Sequence, residues 1–126
     1  MTDRTIENAA ARLRWGVSLL PDRPVTEVAE LGAFAEQIGF DRCWLFDEGL
    51  ATRELYVTLT AIALCTERIE LGPGITNPYT RHPSVAASAI ASLHELSSGR
   101  AFLGLGVGGS LTLDPIGIQR DRPIRR

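Results

Sequence analysis

The amino-acid sequence predicts an α/β fold in which helices cover a parallel β-sheet. Three observations support this prediction. Four short apolar runs alternate along the chain with three longer segments in which apolar residues recur every three or four positions. The short runs are continuously apolar, which is typical of strands buried on both faces of a parallel sheet. Successive runs begin about 30 residues apart, the usual length of a strand–helix unit.

The predicted strands are short and are bounded by proline, glycine or acidic residues, which favour turns. They lie at residues 15–20, 43–46, 69–72 and 101–107. No linker or low-complexity segment separates the strand–helix units. The sequence therefore predicts that the strands and helices belong to a single domain.

Each predicted helix carries one apolar stripe at helical spacing. The helices lie at residues 25–38, 53–66 and 84–96. Gly39 follows the first helix at a position where a left-handed residue often ends one. Pro83 directly precedes the third helix and suits its first turn, because the missing N–H would have no partner there.

Composition excludes several classes of protein. Of the 126 residues, 44% are hydrophobic and 22% are charged, which fits a folded domain rather than a disordered chain. The net charge of −2 provides no basic surface for nucleic acid, and no run is long enough for a membrane-spanning helix. Residues 1–14 form a polar segment without the apolar run of a secretory signal, which predicts a cytoplasmic protein. We expect Cys43 and Cys65 to be reduced, buried thiols.

Acidic residues and glycines concentrate at the carboxyl ends of the predicted strands, where parallel α/β folds place their chemistry. Asp47 and Glu48 directly follow the second strand. Adjacent carboxylates at such a position can accept or donate a proton, so both are candidate catalytic residues. Alternatively, one of them caps the following turn or helix.

Two segments are rich in glycine: one follows the third predicted strand, and the other ends the fourth. In residues 72–78, glycine allows either a close approach to a flat ligand or an ordinary tight turn. Residues 104–109 match the pattern G-x-G-x-x-G. No helical stripe is predicted over residues 110–117, and no acid follows about 20 residues later, as a dinucleotide-binding fold requires. An independent nucleotide-binding domain is therefore disfavoured.

Arg81 and His82 precede the third predicted helix, whose N-terminus could bind an anion. We favour local hydrogen bonds that hold the loop in place. The cysteine, histidine and acidic residues match no metal-site spacing, so no metal ion is expected.

The segment at residues 72–83, GPGITNPYTRHP, resembles the luciferase-like oxidoreductases. The resemblance is strongest to their coenzyme F420-dependent branch, which includes methylenetetrahydromethanopterin reductase. Three further segments fit the same family: residues 44–47, 56–63 and 96–106, which read WLFD, YVTLTAIA and LSSGRAFLGLG. The resemblance covers roughly residues 15–126.

The resemblance implies a TIM barrel with a flavin or deazaflavin at the carboxyl ends of its strands. Such a barrel typically needs about 250 residues. Residues 15–126 are therefore expected to form the first four strand–helix units, the N-terminal half of an apparently truncated barrel. Residues 1–14 would precede it as a polar segment.

The resemblance also implies the cofactor and the residues around it. The cofactor would be F420, with FMN as the alternative, and hydride would move to or from a small organic substrate. Asp47 matches a family acid near the reactive edge, whereas Glu48 stands where several F420 enzymes have histidine. A cis peptide is implied between Gly74 and Ile75, against the central ring of the cofactor. The cofactor-binding residues implied are Gly74, Ile75, Thr76, Asn77, Val107, Gly108 and Gly109.

Half a barrel is expected to be catalytically incomplete. The isolated chain should show no turnover and only weak cofactor binding. Its two open sheet edges favour self-association or pairing with a missing C-terminal half. Alternatively, the chain is a non-catalytic remnant or an association module without a working active site. Coding sequence that continues beyond Arg126 would favour the enzyme.

Overall fold

The computed structural model describes residues 13–119, which form a parallel sheet joined by helices. The strands are β1 (Gly16–Leu19), β2 (Arg42–Leu45) and β3 (Glu70–Pro73). The helices are α1 (Val25–Gln37), α2 (Leu55–Leu64), α3 (Pro83–Leu96) and α4 (Ser110–Leu113), with short 3-10 helices at Gly49–Ala51 and Asp114–Ile116. The predicted α/β class is thus confirmed. Most of the predicted polar segment 1–14 lies outside the described residues.

The strands pair in the order β1-β2-β3 and in register along their length. Gly16 lies beside Arg42, and Arg42 lies beside Glu70. Because the strands are parallel and in register, Leu45 and Pro73 end β2 and β3 at the same edge. The segments that follow these two strands therefore start next to each other.

The fourth predicted strand is present only as two isolated bridges. Leu71 pairs with Ala101, and Thr76 pairs with Leu105. From the first bridge to the second, the β3 segment advances five residues, whereas the fourth segment advances four. Between the bridges, Pro73 has no N–H to donate. The extra residue also forms a bulge that interrupts the ladder. Residues 101–107 therefore run beside β3 without continuous strand pairing, which corrects the prediction for this segment.

The hydrophobic core lies between one face of the sheet and the helices. Close packing of α1 on α2 depends on Gly32, where a Cβ atom would come within 2.7 Å of Ile62. The buried core residues are Val28, Ala29, Ala35, Cys43, Leu45, Leu55, Leu59, Ile62, Ala63, Ile69, Leu71 and Leu93. All three long helices contribute to this list, as their predicted apolar stripes require.

The opposite face of the sheet carries two aromatic rings over glycines. The Trp44 ring lies against Gly16 and Gly74, where any added Cβ would collide with it. A Cβ at Gly72 would collide with the backbone oxygen of Phe102 and would lie 2.9 Å from its ring. The Arg42 guanidinium carbon lies 4.6 Å from the centre of that ring. This face is less completely buried than the core face, because Gly16 is exposed and Trp44 is half-buried.

Two further expectations need correction. Cys43 is buried and burial raises its pKa to about 12, but Cys65 is exposed. Cys65 lies at the C-cap of α2, next to exposed Leu64 and outside the buried stripe. The four-residue helix α4 was not predicted, since one turn is too short to show a hydrophobic period.

Candidate functional site

A cavity of about 420 Å3 lies at the carboxyl ends of β2 and β3. Three chain segments line it: the end of β2, the segment after β3, and the glycines leading into α4. The lining residues are Phe46, Asp47, Glu48, Gly74, Ile75, Asn77, Gly108, Gly109, Ser110, Leu111 and Thr112. Most of the residues named from the sequence as site candidates are among them, together with three residues of the unpredicted helix α4.

Asp47 is held at one carboxylate oxygen. Its Oδ2 atom accepts a hydrogen bond of 2.7 Å from Thr76 Oγ1 and lies 3.8 Å from Nη1 of Arg81. The Asp47 side chain is only 12% exposed. Its position is therefore fixed by charge and hydrogen bonding from the β3 side of the cavity.

Neither Asp47 nor Glu48 caps the helix that follows, which was the alternative to a role in catalysis. Glu54 is the N-cap of α2, and its Oε2 accepts a hydrogen bond of 2.7 Å from the backbone N–H of Val57. Glu48 precedes only a 3-10 helix and makes no side-chain cap there. Both Asp47 and Glu48 thus line the cavity without a helix-capping role.

The peptide bond between Gly74 and Ile75 is cis, as the resemblance implied. The Ile75 side chain is 46% exposed and lines the cavity. Ile75 also packs against Gly106, where an added Cβ would collide with its Cδ1 atom. This packing joins the segment after β3 to the segment that leads into α4.

Thr76 and Asn77 are buried, and their side chains form hydrogen bonds that hold the site in place. Thr76 is fully buried and is not part of the cavity lining; its hydroxyl is used by Asp47. Asn77 is 3% exposed, and its Oδ1 accepts hydrogen bonds of 3.0 Å from the backbone N–H groups of Tyr79 and Thr80. Asn77 therefore reaches the lining while its carbonyl oxygen holds the loop after β3.

The glycines before α4 have different physical reasons. Gly108 has a φ of +71°, and a Cβ there would come within 2.9 Å of Leu113, so conformation and packing both require glycine. Gly109 has a φ of −100°, and a Cβ there would meet nothing within 4 Å. Among the described residues, nothing in the backbone or packing requires glycine at this cavity-lining position.

Val107 is a predicted cofactor-binding residue that lies outside this cavity. It lines a second cavity of about 610 Å3, together with Pro78, Tyr79, His82, Pro83, Leu105 and Gly106. His82 Nδ1 accepts a hydrogen bond of 3.2 Å from the Ser84 backbone N–H and so caps α3. The preference for local hydrogen bonding is therefore confirmed at His82 but is wrong at Arg81, which pairs with the distant Glu54 and Asp47.

Sequence reasoning missed a cluster behind Asp47. Arg81 forms an ion pair with Glu54, and its guanidinium carbon lies 4.8 Å from the centre of the Tyr56 ring. Burial raises the pKa of Tyr56. Glu54 and Tyr56 are far from Arg81 in sequence, so no local motif indicates the contact.

None of the helices in residues 13–119 combines the length and the apolar character of a membrane-spanning segment. The same part of the chain contains no group of three histidine, cysteine or acidic residues arranged to hold a metal ion.

Comparison with known proteins identifies the class to which this fold and cavity belong. A solved structure, the coenzyme F420-dependent tetrahydromethanopterin reductase from Methanopyrus kandleri, superposes with a TM-score of 0.82 at 44% identity. The match covers 86% of this chain and 31% of that one. The described architecture is accordingly that of the first strand–helix units of a TIM barrel.

The sequence comparisons agree with the structural one. The family model for luciferase-like monooxygenases matches residues 8–126. The chain belongs to this family. The 5,10-methylenetetrahydromethanopterin reductase of Methanolobus tindarius is 45% identical over 112 residues, or 89% of this chain and 34% of the relative. An F420-dependent glucose-6-phosphate dehydrogenase from Nakamurella multipartita is 37% identical over 102 residues, or 74% and 30% respectively. The chain spans about a third of the length of these relatives.

Proposed function

We propose that the chain forms part of an F420-dependent oxidoreductase that transfers hydride between the deazaflavin ring and a small organic substrate. The observation that carries this proposal is the cavity at the strand ends, lined by Asp47, Glu48, Ile75 and Gly109. The choice of F420 is supported by two relatives, 44% and 37% identical, that are named for dependence on it. FMN is the alternative cofactor.

The cavity residues fit a flat ring. Gly109 offers bare backbone at the cavity wall without needing glycine for its own conformation or packing. Close approach of backbone to a ligand is one of the uses of glycine in proteins. Ile75 contributes an exposed apolar side chain to the same cavity. We therefore propose that Gly74, Ile75, Gly108 and Gly109 hold the ring, with Thr76, Asn77 and Val107 supporting these segments.

Bound F420 would supply the hydride chemistry, and the protein residues would supply orientation and electrostatics. Asp47 would present a carboxylate of fixed position, because Thr76 and Arg81 both hold its Oδ2 atom. Glu48 lines the same cavity. Its carboxylate would take up or release a proton during the reaction. Asp47 and Glu48 are thus the proposed catalytic residues.

The proposal includes a partner for the sheet. Residues 15–126 would be the N-terminal half of the barrel, and the remaining walls of the site would come from a C-terminal half or a second copy of the chain. The match to only about a third of the relatives supports this. We also propose a cytoplasmic location, with no nucleic-acid or membrane partner; the free thiols of Cys43 and Cys65 support a reducing compartment.

The second candidate function is an association module or remnant without a working site. Sequencing the DNA downstream of Arg126 separates the two candidates. An in-frame continuation, or an adjacent frame encoding the remaining barrel, favours the enzyme, and the absence of both favours the module.

Anaerobic titration tests the cofactor. Oxidised F420 and FMN are added separately to the purified chain, alone and together with the remaining barrel, and the ring absorbance is followed. We expect weak binding by the chain alone and tighter binding of F420 than of FMN by the complete barrel. Tighter binding of FMN than of F420 would identify FMN as the cofactor. Tight stoichiometric binding by the chain alone would refute the proposal that the site needs the remaining walls of the barrel.

A further inference from the structure

We infer that Arg81 is the positioning residue for Asp47 and that it leaves Asp47 Oδ1 as the atom that meets a ligand. This role rests on the proposed function, in which Asp47 acts at the ring or the substrate. Arg81 would not itself touch the reacting atoms. It would set the direction of the Asp47 carboxylate.

Arg81 makes contacts on three sides. Nη1 lies 3.8 Å from Asp47 Oδ2, and Nη2 pairs with Oε1 of Glu54. The guanidinium carbon lies 4.8 Å from the centre of the Tyr56 ring, a distance that allows a cation–π interaction. The side chain is 21% exposed. A planar cation held by two carboxylates and a ring has little freedom to turn, which suits arginine better than lysine.

The contacts to Asp47 fall on a single oxygen. Thr76 Oγ1 donates to Oδ2 at 2.7 Å, and Arg81 approaches the same atom. Within residues 13–119, the hydrogen bond to the Asp47 side chain and its recorded ion-pair contact both involve Oδ2, and no hydrogen bond involves Oδ1. Since Asp47 lines the cavity, Oδ1 is the oxygen that remains for a ligand polar group.

Tyr56 supports Arg81 through its ring. Its hydroxyl is buried and has no hydrogen-bond partner among the described residues. Burial raises the pKa of Tyr56, the charge of Arg81 opposes this, and the charges of Asp47 and Glu54 reinforce it. The hydroxyl therefore contributes no bond to the cluster, whereas the aromatic face carries the guanidinium.

A double-mutant cycle on the full chain tests the pairing without any cofactor. Urea unfolding is measured for Asp47→Asn, Arg81→Gln and the double variant. We expect the effect of Arg81→Gln on the unfolding equilibrium constant to shrink about fivefold when Asp47→Asn is already present. The control cycle pairs Asp47→Asn with Arg53→Gln, since Arg53 bonds the Asp22 carbonyl instead, and should be additive.

Tyr56 and lysine variants keep the test decisive. Tyr56→Phe should preserve the coupling between positions 47 and 81, because it keeps the ring, and Tyr56→Leu should reduce it. Arg81→Lys should retain part of the coupling. Should Arg81→Gln fail to fold, the cycle is completed with Arg81→Lys. Equal effects of either Arg81 variant in the presence and in the absence of Asp47→Asn would overturn the positioning role.

A second measurement links the pair to the ligand. F420 titration of the complete barrel should show that Asp47→Asn and Arg81→Gln weaken binding by similar factors, and that the double variant is no weaker than either. Independent, multiplying losses would contradict the positioning role. Failure of the unaltered protein to bind F420 would refute the proposed function alone, because the unfolding cycle still decides whether Arg81 holds Asp47.

Discussion

Replacing Thr76 with valine removes the hydrogen bond to Asp47 with little change of shape. Thr76 is fully buried, and its Oγ1 donates to Asp47 Oδ2 at 2.7 Å. Valine keeps the branched side chain, so no large cavity forms. The substitution therefore isolates the bond between the segment after β3 and the carboxylate after β2.

The expected cost follows from the charge of the acceptor. A hydrogen bond to a charged group contributes about 1.5–3 kcal/mol to stability. We expect Thr76→Val to lower the free energy of unfolding by about 2 kcal/mol, roughly a 30-fold change in the unfolding equilibrium constant. Thr76→Ser keeps the donor and loses one methyl group, so its cost should be about 1 kcal/mol.

Thr58→Val is the matched control. Thr58 is also fully buried, and its Oγ1 donates at 2.8 Å to the neutral carbonyl of Glu54. That carbonyl keeps its bond from the Thr58 backbone N–H at 3.1 Å, so Thr58→Val should cost about 1 kcal/mol or less.

The assay is urea unfolding followed by circular dichroism, with every variant at one protein concentration. The reasoning is refuted if Thr76→Val costs no more than Thr58→Val. Such a result would mean that the Thr76 hydroxyl adds nothing to the fixing of Asp47.

Three further predictions concern the scaffold. Although burial opposes it, three backbone N–H groups of the α2–β3 turn lower the pKa of Glu36. The ionised Glu36 side chain therefore stabilises the fold fully above its unfolded-state pKa of 4.5, and this stabilisation is lost as the pH falls. In urea titrations, the difference in the free energy of unfolding between the unaltered chain and Glu36→Gln should shrink below that pH. Gly39→Ala should cost about 1 kcal/mol, because φ there is +98°, whereas Gly109→Ala should leave the melting temperature unchanged. Light scattering should show self-association of the isolated chain through its open sheet edges, and a monodisperse monomer with a sharp melt would count against it.

The pattern of apolar residues was sufficient to predict the three long helices and the first three strands. Val28, Leu59 and Leu93 lie on the buried stripes of three different helices, and the period alone indicates those stripes. The fourth segment was predicted as a regular strand, and its irregular pairing was missed, although Pro73 marks the ladder position where no donor exists. A run of strand length does not reveal the register of its partner, and here the bulge decides the pairing.

The candidate site was predictable where it depends on strand ends. Asp47 and Glu48 follow β2 and Gly74 directly follows β3, so parallel strands suffice to bring them together. The contact between Arg81 and Glu54 was not predictable, because it spans 27 positions and forms only when α2 and the loop after β3 pack together. The lining from α4 was missed because one helical turn is too short to show a hydrophobic period.

The glycines show how a correct residue can have an unexpected reason. Gly74 and Gly108 were named for cofactor binding, but Trp44 packing and a left-handed φ respectively already require glycine there. Only Gly109 lacks such an internal requirement among the three. The structure therefore makes Gly109 the most informative position for testing the site.

Amide chemical-shift mapping tests the central claim that the strand-end cavity is the F420 site. Oxidised F420 is titrated into the ¹⁵N-labelled chain, where even weak binding is visible. We expect the largest shifts at Ile75, Gly108 and Gly109. We expect these shifts to be lost in Gly109→Leu, because the leucine side chain would occupy the space that the ring needs. Shifts confined to the second cavity around Tyr79 and Val107, or no shifts at saturating F420 with the complete barrel, would contradict the claim.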